Sequence, residues 1–325
     1  MFIHFSEASL VNPFHLQKQF QADNSQYRGR FAPSPSGPLH FGSLVAALGS
    51  FLHAKSQSGL WFVRIEDIDK PREQVGSVDD ILDALVSFGM IWDQDLQTPD
   101  DNNYRGCAVQ SKRLARYQQI FVQLQQQELL YTCYCTRKDI KQMGGNYLGH
   151  CRDKQHQFDG HAVRIKQTPG KAEFVDLLHG KVTVDDHLIN EDYIVKRSDG
   201  LFAYQLVVVV DDIDQGITNV VRGADIMELT PRQISLFNLF EITPPAYLHL
   251  PLIINENRQK LSKQNKASAI NCNNPKPELL KALSCLGLPI NEESLLGSAT
   301  VAEIIDWAIQ NWDMNKVPAQ LDILI

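Results

Sequence analysis

The strongest constraint on the fold is a segment near residue 30 in which a strand, a turn-rich loop, a helix and a second strand follow one another. Residues 30–32 are predicted to form the first strand, and residues 33–38 form a loop with three prolines and one glycine. The next helix has apolar positions at helical spacing, namely Leu44, Leu48, Phe51 and Leu52. Leu60–Ile65 is an apolar run typical of a buried parallel strand. This order predicts an α/β fold with a parallel sheet.

The length and the later pattern indicate one α/β body with an insertion. At about 150 residues per domain, 325 residues suggest two domains. Residues 193–197 and 201–210 are predicted to form a hairpin. Helical and buried-strand patterns then return, with a helical region over residues 275–313. The predicted parts are an irregular N-terminal extension (1–27), the first half of the α/β domain (28–130), an inserted α+β module (131–195), the second half (196–264) and a helical C-terminal region (265–325).

Composition and charge disfavour several classes of protein. The net charge is −7 and the pI about 5.8, which disfavours a dedicated DNA coat protein but leaves room for a local basic surface that binds RNA. Six cysteines are too sparse for a secreted disulfide scaffold. The first lysine is Lys18 and no long apolar run occurs, so we expect neither a signal peptide nor a transmembrane helix. We expect a cytoplasmic protein with no membrane or DNA partner.

Two stretches have the chemistry of a phosphate site. The loop before the first helix presents backbone N–H groups and a helix N-terminus, where His40 could donate a hydrogen bond to a phosphate and Ser43 could cap the helix. Far along the chain, Lys260 and Lys263 flank Ser262 and could bind phosphates as point charges. The alternatives are a structural loop with a surface histidine and a solvated basic loop.

Three cysteines lie close together in the predicted insertion. Cys133, Cys135 and Cys151 offer three soft thiolates within 19 positions, which favours a structural zinc site. From chemistry alone, the fourth ligand is expected to be His150 or His156. The alternative is three buried free cysteines.

The two phosphate-binding stretches together resemble a known pair of motifs. His40-Phe-Gly-Ser and Lys260-Leu-Ser-Lys are similar to the ATP signatures of class I aminoacyl-tRNA synthetases, usually written HIGH and KMSKS. Arg30-Phe-Ala-Pro-Ser-Pro-Ser-Gly and Arg64-Ile-Glu-Asp resemble the glutamyl branch of that class. Ser43 replaces the second histidine, and Leu261 and Gln264 replace methionine and serine. The resemblance implies a Rossmann-type parallel sheet.

The spacing of the cysteines limits the resemblance to one family within the glutamyl branch. Cys-x-Cys, eleven residues, tyrosine, three residues and cysteine is similar to the zinc pattern of the glutamyl-queuosine tRNA(Asp) synthetases, truncated paralogues of the glutamyl enzymes. This resemblance covers about residues 28–270 and implies Tyr147, rather than a histidine, as the fourth ligand. The 61 residues after Gln264 can hold a few helices, so no anticodon-binding domain is expected.

The resemblance also implies an activity and its partners. The implied enzyme activates L-glutamate with ATP, which is expected to bind together with Mg²⁺, and transfers the glutamyl group to queuosine at the wobble position of tRNA(Asp). A structural zinc ion and a monomeric state are expected. The alternatives are a minimal glutamyl-tRNA synthetase, a non-catalytic paralogue that binds RNA, and an adenylating enzyme that acylates another molecule.

Glutamate chemistry and the resemblance together select the site residues. Two carboxylates and one ammonium require cationic forks, for which Arg30 and Arg222 are candidates, and an anion, for which Glu66 is a candidate. Tyr204 could add a hydroxyl, and Asp211 and Asp212 are left outside the site as the end of a strand. The expected glutamate-binding residues are Arg30, Phe31, Ala32, Pro33, Ser34, Glu66, Tyr204 and Arg222.

The remaining expectations concern ATP and RNA. His40, Lys260 and Lys263 are expected to be catalytic through stabilisation of phosphate charge, and the ATP-binding residues are expected to be His40, Gly42, Ser43 and Lys263. Basic side chains that could contact tRNA phosphates are Arg137, Lys138, Lys141, Arg258 and Lys266.

Overall fold

A computed structural model describes residues 26–94, 103–167, 170–259, 261, 268–290 and 299–325. The predicted extension 1–27 therefore lies almost wholly outside the described residues. Within the described ranges, the helices are α1 (Phe41–Lys55), α2 (Ser77–Ser87), α3 (Leu114–Gln126), α4 (Arg137–Gln142), α5 (Asp186–Asn190), α6 (Tyr204–Asp214), α7 (Thr230–Leu239), α8 (Lys276–Cys285) and α9 (Val301–Asn311). No described helix is long and apolar enough to cross a membrane.

The described strands form two mainly parallel four-stranded sheets, one antiparallel three-stranded sheet and one parallel two-stranded sheet. The strands are β1 (Arg28–Phe31), β2 (Leu60–Ile65), β3 (Asn103–Tyr104), β4 (Cys107–Val109), β5 (Leu130–Cys133), β6 (Ala162–Ile165), β7 (Glu173–Asp176), β8 (Gly180–Thr183), β9 (Ile194–Lys196), β10 (Asn219–Gly223), β11 (Ala246–Leu250), β12 (Leu252–Ile254) and β13 (Asp322–Leu324). One sheet has the order β1-β2-β4-β3, with β1, β2 and β4 parallel. Another has the order β10-β11-β7-β8, with β10, β11 and β7 parallel. The three-stranded sheet is β5-β6-β9, and the two-stranded sheet is β12-β13.

The two central sheets meet at the start of β1. The Thr218 N–H donates to the Arg28 carbonyl at 2.9 Å, and Thr218 directly precedes β10. The ends of β1 and β10 then line the same cavity, through Phe31 and Gly223. The predicted strand–helix–strand unit is confirmed, and the carboxyl ends of its strands lie where open α/β sheets bind ligands.

The segment at residues 201–210 differs from its prediction. We predict a strand there, whereas Tyr204–Asp214 is the helix α6, and only an isolated bridge between Lys196 and Phe202 remains of the hairpin. Leu206 and the four valines after it are all buried. A segment that is buried all round carries no periodicity, so the apolar run could not distinguish a buried strand from a buried helix.

The N-terminus of α1 differs from its prediction, since His40 and not Ser43 caps the helix. Helix α2 has Gly76 at its N-cap, and the Ser77 hydroxyl donates to the Gly37 carbonyl at 2.8 Å. A 3₁₀ turn over Gln110–Arg113 precedes α3, which begins at Leu114. The C-terminal helical pattern is confirmed by α8 and α9, whose apolar faces share one core with α1.

The predicted insertion contains two structures. β5, β6 and β9 form a separate antiparallel sheet, beside which α4 and the cysteines lie. The hairpin of β7 and β8, however, joins the edge of the β10-β11 sheet, with Asp176 opposite Tyr247. Residues at the far end of the insertion can therefore reach the central sheet.

Candidate active site

The loop after β1 and the N-terminus of α1 line an open cavity of about 560 Å³. Within residues 30–43, every residue predicted to bind ATP or glutamate lines this cavity except Arg30: Phe31, Ala32, Pro33, Ser34, His40, Gly42 and Ser43. Gly223, Asp225 and residues 251–253 close the opposite side. Polar backbone groups and a helix N-terminus therefore face a space large enough for a ligand.

The side chain of His40 is the N-cap of α1. The Ser43 N–H donates to His40 Nδ1 at 3.2 Å, and His40 Nε2 lies 3.0 Å from Ser43 Oγ. Because Nδ1 accepts, the neutral ring carries its proton on Nε2, which donates to the serine hydroxyl. Ser43, which replaces the second histidine of the motif, thus fixes the orientation of the first histidine, His40.

Gly42 allows a close approach at the same place. A Cβ atom there would lie 3.2 Å from the carbonyl oxygen of Leu261 and 3.3 Å from the His40 ring. Leu261 belongs to the Lys-Leu-Ser-Lys stretch, and it lines the cavity. The other flank of that stretch also reaches α1, since Ala269 forms a bridge with His40. Lys260, Lys263 and Lys266 themselves lie outside the described residues.

A buried network of charges lies beyond the loop. Asp212 Oδ1 accepts from Arg30 Nε at 3.0 Å and from Arg64 Nη1 at 2.7 Å, and all three side chains are at most 5% exposed. Arg64 also donates to Glu66 at 3.4 Å. Although burial alone would lower the pKa of Arg64, the carboxylates of Asp212, Asp211 and Glu66 raise it overall. Arg64 is therefore held as a fixed cation.

The carboxyl group of Glu66 has a pKa well above the usual value for glutamate. The residue directly follows β2 and is 8% exposed. Burial raises the pKa of Glu66 to about 7, despite the opposing charges of Arg64 and Arg30. A cation placed beside this carboxyl would favour its ionised form. Glu66 is thus suited to accept from an ammonium group.

Tyr204 is the first residue of α6, not part of a strand as predicted. Burial raises the pKa of Tyr204, and the charges of Arg222, Glu66, Arg30 and Asp212 act on its hydroxyl. The hydroxyl therefore remains protonated and can donate a hydrogen bond. The four side chains expected to bind glutamate (Arg30, Glu66, Tyr204 and Arg222) thus belong to one electrostatic environment.

Arg222 differs from the other two arginines in its partners. Its Nη1 donates to Gln233 Oε1 at 2.8 Å, its Nη2 to Thr230 Oγ1 at 2.9 Å and its Nε to His249 Nε2 at 3.0 Å. All three acceptors are uncharged groups. Within the described ranges no carboxylate forms an ion pair with Arg222, whereas Arg30 and Arg64 both bind Asp212. Arg222 is 6% exposed and retains a charge that suits an anionic ligand.

The three predicted cysteine ligands lie together, near Tyr147. The sulfurs of Cys133, Cys135 and Cys151 are within 4.8 Å of one another, and Cys135 and Cys151 are 3.6 Å apart. Four ligands about 2.3 Å from a zinc ion would be about 3.8 Å apart, so the spacing fits. The Tyr147 hydroxyl accepts from the Cys151 N–H at 2.8 Å, and Cys133 also lies within its hydrogen-bonding reach.

The two histidines considered as fourth ligand do not join the cysteine group. The metal-ligating atoms found together in the described part of the chain are the three sulfurs alone. His156 instead stacks on Tyr134, with 4.0 Å between ring centroids. Arg137, Lys138 and Lys141, on α4 next to the cluster, are exposed, as is Arg258.

Comparison with known proteins decides the family. The class I tRNA synthetase (E and Q) catalytic domain matches residues 26–317. A glutamyl-Q tRNA(Asp) synthetase of Vibrio parahaemolyticus is 49% identical over 92% of this chain and 97% of that protein. The chain belongs to the glutamyl-Q tRNA(Asp) synthetase family. A glutamyl-Q tRNA(Asp) synthetase of Escherichia coli is 46% identical, over 95% of this chain and 96% of its own length.

Solved structures agree on the fold of this glutamyl-Q synthetase family member. A glutamate-tRNA synthetase from Elizabethkingia anophelis superposes with a TM-score of 0.74 at 23% identity, over 92% of this chain and 68% of its own. A glutamate tRNA ligase from Elizabethkingia meningosepticum, in complex with its amino acid, gives 0.72 at 24%, over 90% and 65%. The expected class I synthetase catalytic domain is therefore confirmed. The chain spans about two thirds of these structures.

Several residues of the candidate site are not among those predicted from the sequence. Asp212, left out as the end of a strand, is the shared partner of Arg30 and Arg64. Thr230, Gln233 and His249 hold Arg222. The available signal for Asp212 was a pair of acidic residues inside an apolar run, because a buried carboxylate requires a cationic partner.

Proposed function

We propose that this protein activates L-glutamate with ATP and transfers the glutamyl group to queuosine at the wobble position of tRNA(Asp). The observation that carries this proposal is the clustering of Arg30, Glu66, Tyr204 and Arg222 beside the cavity at the N-terminus of α1. The names of the relatives support the choice of amino acid and RNA. The proposed chemistry is therefore that of a ligase.

The pocket residues have distinct roles in this proposal. Arg222 and Arg30 bind the carboxylates of glutamate as forks, and Glu66 accepts from its ammonium. The Tyr204 hydroxyl donates a further hydrogen bond. Phe31, Ala32, Pro33 and Ser34 form the wall between amino acid and nucleotide. The support is that these residues line one cavity or share one electrostatic environment.

The first reaction is adenylation. An oxygen of the α-carboxylate of glutamate attacks the α-phosphorus of ATP, the bond to the bridging oxygen breaks, and pyrophosphate leaves. No protein nucleophile takes part, so catalysis consists of positioning and charge stabilisation. His40, Gly42 and Ser43 hold the phosphates at the N-terminus of α1, and Lys260 and Lys263 stabilise their charge. Mg²⁺ bound with ATP would neutralise further phosphate charge.

The second reaction is acyl transfer. A hydroxyl of the queuosine cyclopentene ring attacks the carbonyl carbon of glutamyl-adenylate. The bond to the phosphate oxygen breaks, AMP leaves, the hydroxyl proton is released, and a glutamyl ester remains on the base. The open face of the cavity gives the RNA access to the adenylate.

A structural zinc site accompanies the catalytic machinery in our proposal. Cys133, Cys135, Cys151 and Tyr147 would hold one ion per chain, which would crosslink the segment between β5 and β6. Without a cation, burial and the neighbouring thiols raise the pKa of Cys135 to about 12, so three thiolates would not coexist at neutral pH. The choice of Tyr147 over His150 and His156 is supported by the position of its hydroxyl among the cysteines.

The same proposal includes the division of the chain and its setting. The ranges 28–130 and 196–264 form the catalytic body, with 131–195 inserted, 265–325 helical and 1–27 an extension. The protein acts as a cytoplasmic monomer on tRNA. Arg137, Lys138, Lys141, Arg258 and Lys266 contact RNA phosphates, which is supported by the exposure of those that are described.

The deciding experiment measures the transfer of labelled glutamate in the presence of ATP. The acceptors are tRNA(Asp) with queuosine, tRNA(Asp) without queuosine, and tRNA(Glu). We expect label on queuosine-containing tRNA(Asp) only. Label at the 3′ end of tRNA(Glu) would instead indicate a minimal glutamyl-tRNA synthetase. Pyrophosphate exchange without transfer to any RNA would indicate a different acceptor.

A further inference from the structure

Arg222, His249 and Asp176 form a buried chain of three side chains. His249, on β11, has no exposed surface. Its Nδ1 lies 2.7 Å from Asp176 Oδ2, and its Nε2 lies 3.0 Å from Arg222 Nε. Asp176 is the last residue of β7, so three neighbouring strands contribute one residue each. The proposed chemistry makes no direct use of Asp176 or His249.

The partners of His249 determine its tautomer. A guanidinium only donates hydrogen bonds, so His249 Nε2 must accept from Arg222. An ionised carboxylate only accepts, so Nδ1 must carry the proton and donate to Asp176. Both requirements are met by the neutral ring with its proton on Nδ1. Burial lowers the pKa of His249 to about 4, which agrees with a neutral ring.

Asp176 is itself held in place by backbone groups. Its Oδ1 accepts from the N–H groups of Leu178 and His179, each at 3.0 Å, and its Oδ2 accepts from the His249 N–H at 3.1 Å. The carboxylate thus fixes the turn after β7 and the histidine ring together. Nothing in this arrangement needs to move for Arg222 to be oriented.

The geometry leaves part of Arg222 available. A guanidinium has five N–H groups, and the acceptors on Thr230, Gln233 and His249 take three of them. One N–H on each terminal nitrogen remains to donate to a further acceptor, such as a carboxylate. The Nε contact to His249 sets the rotation of the guanidinium, and the two remaining groups turn with it.

We propose that His249 is a positioning residue for the carboxylate-binding arginine, and that Asp176 holds it in the tautomer that accepts from Arg222. The inference rests on the proposed function, since it assigns Arg222 to a carboxylate of glutamate. His249 touches no substrate and acts only through Arg222. Its expected effect is on the affinity for the amino acid and not on the affinity for ATP.

Two substitutions at the same position separate the two hydrogen bonds. In His249→Asn, the amide can still donate to Asp176 but does not reach Arg222. In His249→Gln, the longer side chain places an amide oxygen near the position of Nε2 and can accept from Arg222. Glutamate-dependent exchange between ATP and pyrophosphate gives KM and kcat for each variant. We expect KM for glutamate to rise roughly 10- to 100-fold in His249→Asn, because a hydrogen bond to a charged group is lost. The glutamine variant should remain within about threefold of wild type, and KM for ATP should not change.

His53→Gln is the matched control. His53 is also buried, and its side chain contacts Tyr27, Gln57 and Trp312, none of which is assigned to the site. Its thermal unfolding reports the cost of losing a buried histidine, while KM for glutamate should remain that of the wild type. If His249→Asn keeps the wild-type KM, or if KM for ATP rises as much as KM for glutamate, His249 is not a positioning residue.

A measurement on the unchanged protein covers the case in which the variants do not fold. Nitrogen-15 NMR of the His249 ring should show the proton on Nδ1 and no titration between pH 5.5 and 8. A proton on Nε2, or protonation within that range, would overturn the assignment. If the wild-type protein shows no glutamate-dependent exchange, the result counts against the proposed function. The NMR spectrum would still show whether the His249 ring carries its proton on Nδ1, and so tests the assignment of His249 separately.

Discussion

At the scale of single residues, Glu66 has the most informative chemistry. Its pKa of about 7 results from burial, which Arg64 and Arg30 only partly offset. The protonated form predominates below this pKa, and a neutral carboxyl attracts an ammonium less. KM for glutamate should therefore rise as the pH falls from 8 to 6, while KM for ATP changes little. Steady-state exchange kinetics would measure both constants.

The substitution Glu66→Gln tests the cause of that pH dependence. The amide cannot ionise, so KM for glutamate should already be high at pH 8 and should not rise further at pH 6. If the variant retains the wild-type profile, another group is responsible for it.

Asp212 shows why part of the site was out of reach of sequence analysis. Its partners Arg30 and Arg64 are 182 and 148 residues away along the chain. The motif that contains Arg30 could be recognised locally, and so could the motif around Glu66. The acidic pair inside an apolar run indicates that Asp212 needs a cationic partner, but it does not identify Arg30 and Arg64, because only the fold brings the three side chains together.

Asp212→Asn removes one buried charge that serves two cations. Removal of one partner from a buried ion pair typically costs about 3–5 kcal/mol, because a charge remains without compensation. We expect the free energy of unfolding in urea to fall by at least about 3 kcal/mol. Asp306→Asn, at an exposed position of α9, is the control and should have little effect. Equal stability of the two variants would refute this role for Asp212.

At the scale of elements, α6 is the segment whose structure was mispredicted, as a strand, and it is also the helix that carries Tyr204 and Asp212. Its acidic residues bind in different directions: Asp211 accepts from Gln110 and Arg113, and Asp214 accepts from Arg113 and Arg116. Asp212 faces the arginines of β1 and β2. Local pattern could not reveal this helix, because Leu206–Val210 is an unbroken buried apolar run that shows neither a helical nor a strand period.

The N-terminus of α1 supports a prediction of its own. Gly42→Ala would place a Cβ 3.2 Å from the Leu261 carbonyl and 3.3 Å from the His40 ring, at the wall of the cavity. Alanine is the better helix former, so we expect the melting temperature to hold or rise slightly. KM for ATP should increase several-fold, because the flank of the lysine stretch must shift. An unchanged KM for ATP would show that this contact does not shape the nucleotide site.

At the scale of the whole molecule, the sequence predicted the α/β class and the helical C-terminal end, and its motifs named most of the side chains that the structure brings together at the candidate site, since these depend on local patterns. It missed α6 and the support behind Arg222, which depend on contacts between distant elements. The cysteine cluster could be predicted from the sequence only in part. Its members are close in sequence, but the position of the Tyr147 hydroxyl among them required the fold.

The zinc proposal predicts a specific metal content. Elemental analysis should find about one zinc per chain in the wild type and in His150→Ala and His156→Ala. Cys151→Ser should lose it, because one of the four ligands is then a poor one. The melting temperature should fall with chelators in the wild type and not in Cys151→Ser. Loss of zinc from either histidine variant would indicate that this histidine, and not Tyr147, is the fourth ligand.

One pairing in the structure bears on the order in which the molecule is completed. β12, which leads to the lysine stretch, pairs in parallel with β13, about seventy residues later. During synthesis on a ribosome, β12 emerges long before the strand that lies beside it. A loop of this length costs entropy to close, so the pairing forms late. The central sheets of the nascent chain can therefore form while β12, beside the proposed nucleotide site, is still unpaired with β13. The capacity to react with ATP should be among the last properties that the chain acquires.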